Sequence, residues 1–142
     1  MPARPPKSLR HMALDCLARR EYSRKELFDR LQQRQPEANP EAINDVLDQL
    51  QHDGLQDDAR FAFGYTRLRV MRGHGPRKIA YELQQKGVVS RLVALALADH
   101  DWHSLAQAAL HKKFGESLDT TWEERAKQLR FLQQRGFDPH EL

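Results

Sequence analysis

The sequence contains a single cysteine, Cys16, so no disulfide can form within the chain. Its longest apolar run, at residues 92–98, is far shorter than the ~20 residues that a membrane-spanning helix requires. Residues 1–12 carry prolines where a secretory signal needs an uninterrupted apolar segment. These absences predict a cytoplasmic location, with residues 1–7 as a disordered N-terminal arm.

Glycine is also scarce, with seven residues in 142, and no run of alternating β-branched residues is bounded by turn signals. A β-sheet is therefore not expected, and the composition favours helices. Leu9, Met12, Ala13 and Cys16 fall on one face of a helix. That spacing predicts a buried Cys16 that packs as a small apolar side chain and does not act as a nucleophile.

One tetrapeptide occurs three times, as "LQQR" at 31–34, "LQQK" at 83–86 and "LQQR" at 132–135. A period of about 50 residues fits a unit of three short helices. The repeat predicts an all-α fold of three tandem three-helix modules, helix-turn-helix-like, in an elongated, curved array. The modules are expected at residues 8–54, 55–100 and 101–142. The chain stops just after Asp138-Pro139, a helix-start signal, so the third module is expected to be truncated or to end in a vestigial helix.

Local signals mark where several helices begin. Ser23-x-x-Glu26 and Thr121-x-x-Glu124 have the pattern of a capping box. Further starts are predicted by asparagine and proline at 39–40, by two acids at 57–58 and by serine as the N-cap at 90.

The helix predicted after residue 58 carries apolar residues on two sides. Phe61, Tyr65 and Leu68 form one stripe, and Phe63 and Val70, with an alanine at 59, form another nearly opposite. We therefore expect this helix to be packed on both sides. Its aromatic side chains would then lie in the core and would be unable to stack on single-stranded nucleic acid.

Positive charge is concentrated in the middle of the chain. The net charge is +3, yet residues 60–91 contain eight lysines and arginines and a single acid, Glu82. Such asymmetry indicates a polyanionic or acidic partner, although a solvated helix surface neutralised by acids of neighbouring segments would give the same pattern. The candidate binding surface consists of Arg60, Arg67, Arg69, Arg72, Arg77, Lys78 and Lys86.

The sequence Gly-His-Gly-Pro at 73–76 lies inside this basic region. Gly73 and Gly75 break one helix, and Pro76 starts the next at its first position, so the three residues are predicted to be a structural turn. Free amides at a helix start beside Arg77 would also suit a phosphate or carboxylate. The segment lacks the spacing and the Lys-Ser/Thr of a nucleotide-binding P-loop, and Pro76 removes one amide.

No arrangement of residues supports catalysis. His100 and His103 lie near Asp99 and Asp101, but they lack the fuller ligand set of a structural metal site. The other histidines have no nucleophile or paired carboxylate at motif spacing. The sequence therefore predicts no catalytic residues, metal or cofactor, and a protein that is not an enzyme.

Three segments together resemble the RecX family of regulators of the RecA recombinase. They are "ALDCLARREYSRKELFDRL" at 13–31, "VLDQLQHDGLQDDARFAFGYTRLR" at 46–69 and "RGHGPRKIAYELQQKGV" at 72–88. The most specific part is "LQDDARFA", followed by arginines, Gly-x-Gly-Pro-x-x-Ile and a Leu-x-x-Lys-Gly ending. The resemblance covers residues 9 to 137.

The resemblance implies tandem three-helix modules and a non-enzymatic regulator that binds RecA and its nucleoprotein filament. It implies inhibition of ATP hydrolysis, strand exchange and coprotease activity, in DNA repair and the SOS response. Some members of the family also bind DNA, so ssDNA or dsDNA is a further candidate partner, and the chain is expected to be a monomer. The family's basic central segment corresponds to Arg67, Arg69, Arg72, Arg77 and Lys78. Two features depart from the family pattern, namely the histidine at 74, where an aromatic or aliphatic residue is usual, and the short third module.

A rival hypothesis is a helix-turn-helix-like protein that binds DNA on its own. It predicts tight duplex binding with a steep salt dependence. Against it, no helix joins an exposed Arg/Asn/Gln face to a clear preceding turn, and "INDVLDQL" at 43–50 is acidic.

Overall fold

The computed structural model describes residues 7–115 and 121–138, and every regular element within these ranges is an α-helix. The helices are α1 (Leu9–Arg19), α2 (Arg24–Arg34), α3 (Pro40–His52), α4 (Asp58–Met71), α5 (Pro76–Gln85), α6 (Ser90–Ala98), α7 (Trp102–Phe114) and α8 (Trp122–Arg135). The predicted all-α class is confirmed. No helix in the described ranges is both long and apolar enough to cross a membrane.

Most helix starts follow from side chains that accept free backbone N–H groups. Ser23 and Glu26 form the complete capping box that their spacing predicts, and Asp57 accepts from the N–H of Arg60. Asn39 accepts from the first turn of α3. The prediction for Ser90 was wrong, because Val89 is the N-cap of α6 and Ser90 is its first helical residue, with no side-chain cap.

Each module has its own apolar core. The first is formed by α1, α2 and α3 around Leu27, Leu31 and Leu47, and it includes Cys16, as predicted. The second is formed by α4, α5 and α6, and the third by α7, α8 and Phe137, which follows α8. The predicted final helix after Asp138 and residues 1–6 of the arm predicted at residues 1–7 lie outside the described residues.

Helix α4 is packed more on one side than its two apolar stripes predict. Phe61, Ala62 and Thr66 are buried, whereas Phe63 is 39% exposed and Leu68 is 58% exposed. The expectation of two packed sides was therefore wrong for these two residues, because α5 and α6 cover mainly one side of α4. The claim that all of its aromatic residues lie in the core also fails for Phe63.

The modules join end to end through their second helices. The last carbonyls of α5 lie against the start of α2, where the Ser23 hydroxyl donates to the carbonyl oxygen of Lys86 at 2.7 Å. The last carbonyls of α8 lie against the start of α5, where the N–H of Gly75 donates to the carbonyl oxygen of Arg135 at 2.6 Å. Each contact pairs free acceptors of one helix end with donors of another. The second and third copies of the repeated tetrapeptide are thus the docking ends of their modules.

Glycine is needed at the second junction. A Cβ on Gly75 would lie 2.6 Å from the carbonyl carbon of Gly136, closer than any side chain can be placed. Gly136 itself has a φ of +95°, and a Cβ there would lie 2.7 Å from the backbone nitrogen of Lys78. The turn at 73–76 is therefore also the surface on which the third module docks.

Candidate functional site

Four of the seven predicted cations form ion pairs. Arg60 contacts Glu21 at 2.6 Å, Arg69 contacts Glu82 at 2.7 Å, Arg77 contacts Asp138 at 2.7 Å and Lys86 contacts Glu26 at 3.3 Å. Except for the Arg69 pair, which lies within the second module, each joins the second module to a neighbour. Much of the central charge is therefore paired with acids of the same chain.

The Arg69 pair is the most enclosed of these contacts. Its guanidinium donates to both carboxylate oxygens of Glu82, from Nε at 2.9 Å and from Nη2 at 2.7 Å, and both side chains are about four-fifths buried. The Tyr65 hydroxyl donates to the same carboxylate at 3.0 Å. Two-pronged charge-assisted bonds are geometrically specific, so this pair fixes α4 against α5.

The titration of these groups reflects their shared hydrogen bonds. Burial raises the pKa of Glu82, but hydrogen bonds from Arg69 and Tyr65 outweigh it and hold the pKa below its ordinary value. Burial and the bond to Glu82 raise the pKa of Tyr65 to about 12. Glu82 is therefore a carboxylate, and Tyr65 a neutral donor, throughout the physiological range.

A second charged cluster links the first two modules. The carboxylate of Glu26 accepts from Arg20 at 3.2 Å and from Lys86 at 3.3 Å, and it also accepts from the N–H of Ser23. Burial raises the pKa of Glu26, yet these donors together lower it below the ordinary value. Lys86 also lies 5.3 Å from the ring centroid of Tyr65, a cation–π distance.

The other three predicted cations, Arg67, Arg72 and Lys78, make no ion pair within the described residues. Arg67 and Arg72 are exposed, and Lys78 is partly buried beside Gly136. These three are the members of the predicted surface whose charge no acid of the described part of the chain neutralises.

His74 lies inside the turn, in surroundings that favour its neutral form. Its Nδ1 is buried without a hydrogen-bond partner in the structure. Burial lowers its pKa, and the neighbouring charges of Arg69 and Lys78 lower it further. Both effects favour the neutral imidazole at this junction.

The structure groups no metal-ligand set in the described ranges. His100 packs its ring on Trp102, with centroids 5.1 Å apart, and Asp101 caps α7 through Ser104. These contacts give His100 and Asp101 structural roles.

Comparison with known proteins agrees with the repeat. Residues 10–50, 57–97 and 100–141 match the first, second and third three-helix domains of RecX. The chain belongs to the RecX family.

Named relatives have similar lengths and sequences. The chain is 47% identical over 128 residues to "Regulatory protein RecX" of Chromohalobacter salexigens, covering 89% of this chain and 82% of that protein. It is 40% identical to the protein of the same name from Halorhodospira halophila, with coverage of 92% and 81%. This chain is therefore a RecX-family regulator.

Solved structures show the same fold. A crystal structure of RecX from Lactobacillus salivarius aligns with a TM-score of 0.76 at 24% identity, covering 94% of this chain and 88% of that one. A second RecX crystal structure aligns with a TM-score of 0.77 at 21% identity, covering 94% and 67%.

Sequence inspection of this RecX-family chain missed cations of the third module. Lys112, Lys113 and Arg135 lie beside Arg72, although they are 40 to 63 positions away from it in the sequence. The net charge of the third module does not reveal them, because its acids balance its basic residues. The paired lysines at 112–113, in the last turn of α7, were the available signal.

Proposed function

We propose that this chain binds the RecA–ssDNA filament and restrains its ATP hydrolysis, strand exchange and coprotease activity, without catalysis of its own. Its membership in the RecX family over about nine tenths of its length carries this proposal. As a filament regulator it would act in DNA repair and the SOS response.

The geometry supports a binding role through rigidity and residual charge. Modules tied by helix-end hydrogen bonds and ion pairs hold their exposed cations at fixed spacing, which lowers the entropy lost on binding. Arg67, Arg72 and Lys78 supply positive charge for an acidic protein surface or for DNA phosphates. We therefore place the contact with the filament on the second module, which carries these three cations.

Cosedimentation with RecA–ssDNA filaments tests the proposal directly. We expect the chain to pellet with filaments and to reduce the DNA-dependent ATPase and strand exchange when added in stoichiometric excess. Unchanged ATPase and strand exchange at that excess would overturn it.

A parallel measurement on bare DNA separates this function from stand-alone DNA binding. Binding to duplex across a range of salt concentrations should be weaker than binding to filaments. Duplex binding as tight as filament binding, with a steep salt slope, would favour the helix-turn-helix-like alternative.

A further inference from the structure

A groove of about 360 Å³ lies where the third module meets the second. Its apolar lining comes from three helices, with Val70 from α4, Leu105 and Ala109 from α7, and Phe131 from α8. Met71 stands at its edge and is 80% exposed. An apolar groove between helices suits an amphipathic helix that inserts its own apolar side chains.

The rim of this groove is entirely cationic. Arg72, Lys112, Lys113 and Arg135 line it, and no carboxylate of the described residues does so. Arg135 is partly held in place, donating to the carbonyl oxygen of Arg72 at 3.4 Å and lying 5.4 Å from the Phe131 ring centroid. The other three side chains are exposed and unpaired in the described ranges.

The equivalent junction between the first two modules differs in its charges, which include both acids and lysines. A pocket of the same volume, about 360 Å³, is lined there by the acids Glu26, Asp29 and Glu82 and by the lysines at 25 and 86. Its charges are matched within the chain, as the ion pairs of Glu26 and Glu82 show. In the groove between the second and third modules, no acid of the described residues provides such a match, so acidic groups of another molecule would complement its charge.

We propose that this groove binds an acidic amphipathic helical segment of a protein partner. Apolar side chains of the segment would cover the floor, and flanking carboxylates would meet the four cations. The identity of the partner rests on the proposed function: if the chain binds the RecA filament, RecA supplies the segment.

A protein segment fits the groove better than nucleic acid does. Of the two aromatic residues that line the groove, Phe131 already packs edge-on against Phe114 with centroids 5.6 Å apart, and Phe137 is buried, so neither offers a free platform for a base. Phosphates on the rim would leave the apolar floor in water. A second copy is also disfavoured, because the acidic helix α3 buries its apolar face in its own core.

Fluorescein-labelled helical peptides of about five turns provide the probes. The first carries leucines at i, i+3, i+4 and i+7 among glutamates, the second replaces its glutamates with lysines, and the third replaces its leucines with alanines. Anisotropy with the full chain should show that the first binds about tenfold or more tightly than either other peptide. Equal binding of the three peptides, or displacement of the first by equimolar oligo-dT, would overturn the inference.

Charge reversal localises the binding. Lys112→Glu with Lys113→Glu should weaken the glutamate–leucine peptide about tenfold or more. The matched control is Arg125→Glu with Arg130→Glu, which makes the same charge change at exposed positions of α8 outside the groove and should leave binding within about twofold. Circular dichroism confirms that both variants stay helical, and equal weakening by both pairs would contradict the assignment.

A photo-crosslinking experiment tests whether RecA occupies the groove in the filament complex. With a photo-reactive benzoylphenylalanine replacing Met71, irradiation in the presence of RecA–ssDNA filaments should link the chain to RecA, and exclusive linkage to DNA would overturn the inference. Because the peptide assay contains no RecA, it tests whether the groove binds an acidic amphipathic helix even if the chain does not cosediment with filaments. If the chain cosediments with filaments but binds the three peptides equally, the inference about the groove fails and the proposed function stands.

Discussion

The backbone N–H of Gly75 donates to the carbonyl oxygen of Arg135 at 2.6 Å, across 60 residues of sequence. The neighbouring N–H of Arg77 donates to the carbonyl oxygen of Gly136 at 2.9 Å. These two bonds set the start of α5 against the end of α8. The arrangement of the second and third modules, and with it the groove between them, therefore depends on a backbone approach that only glycine permits.

Replacing Gly75 with alanine should destabilise the protein by about 1–3 kcal/mol, since the added Cβ would overlap the backbone of Gly136. The matched control is Gly64→Ala in α4, where a Cβ meets nothing within 4 Å. Helix propensity predicts a gain of about 0.5–1 kcal/mol there. Urea unfolding of both variants measures the difference, and equal stability changes would contradict the role of Gly75.

Removing the hydroxyl of Ser23 should lower the free energy of unfolding more than removing that of Ser8, although both residues are N-caps. Ser23 is fully buried and also donates to the carbonyl oxygen of Lys86, whereas the cap bond of Ser8 is exposed. We expect Ser23→Ala to cost about 2 kcal/mol and Ser8→Ala about 1 kcal/mol. The free energies of unfolding of the two variants test this expectation. Equal losses of stability would mean that the bond from Ser23 to the carbonyl oxygen of Lys86 contributes nothing to stability.

The contribution of Glu82 should depend on pH. Its pKa is lowered in the folded state, so its stabilisation is present above the unfolded pKa of about 4.3 and is lost as the pH falls through the folded value. The stability advantage of the wild type over Glu82→Gln should therefore shrink between about pH 6 and pH 3. Unfolding curves at several pH values test this, with Glu123→Gln on the exposed start of α8 as the control. A constant difference across that range would exclude the Arg69–Glu82 bond as its source.

Charge reversal should separate cations that bind a partner from cations that stabilise the fold. Arg67→Glu and Arg72→Glu should leave the free energy of unfolding within about 0.5 kcal/mol and weaken cosedimentation with RecA filaments. Arg69→Glu should instead lower stability, because it places two carboxylates together at a largely buried site. Unaltered cosedimentation of the first two variants would remove Arg67 and Arg72 from the proposed surface.

Helix starts were predictable because their signals are local. A capping side chain and the amide that it accepts lie two or three residues apart, so Ser23, Asn39 and Asp57 could be identified as caps from short windows of sequence. The exception was Ser90, because serine is equally acceptable as the first residue of a helix. The burial of Cys16 was likewise visible in the helical spacing of its neighbours.

The sequence by itself determined the all-α class, the three-helix repeat and most helix ends, because each depends on contacts within a few residues or on periodicity. Only the tertiary structure decided which cations are free. The partners of Arg60, Arg77 and Lys86 lie 39, 61 and 60 residues away, and no local pattern specifies them. The same holds for the cationic groove, whose rim gathers Arg72, two lysines of α7 and Arg135. Charged residues that are far apart in the sequence form a site only when the packing of the modules brings them together.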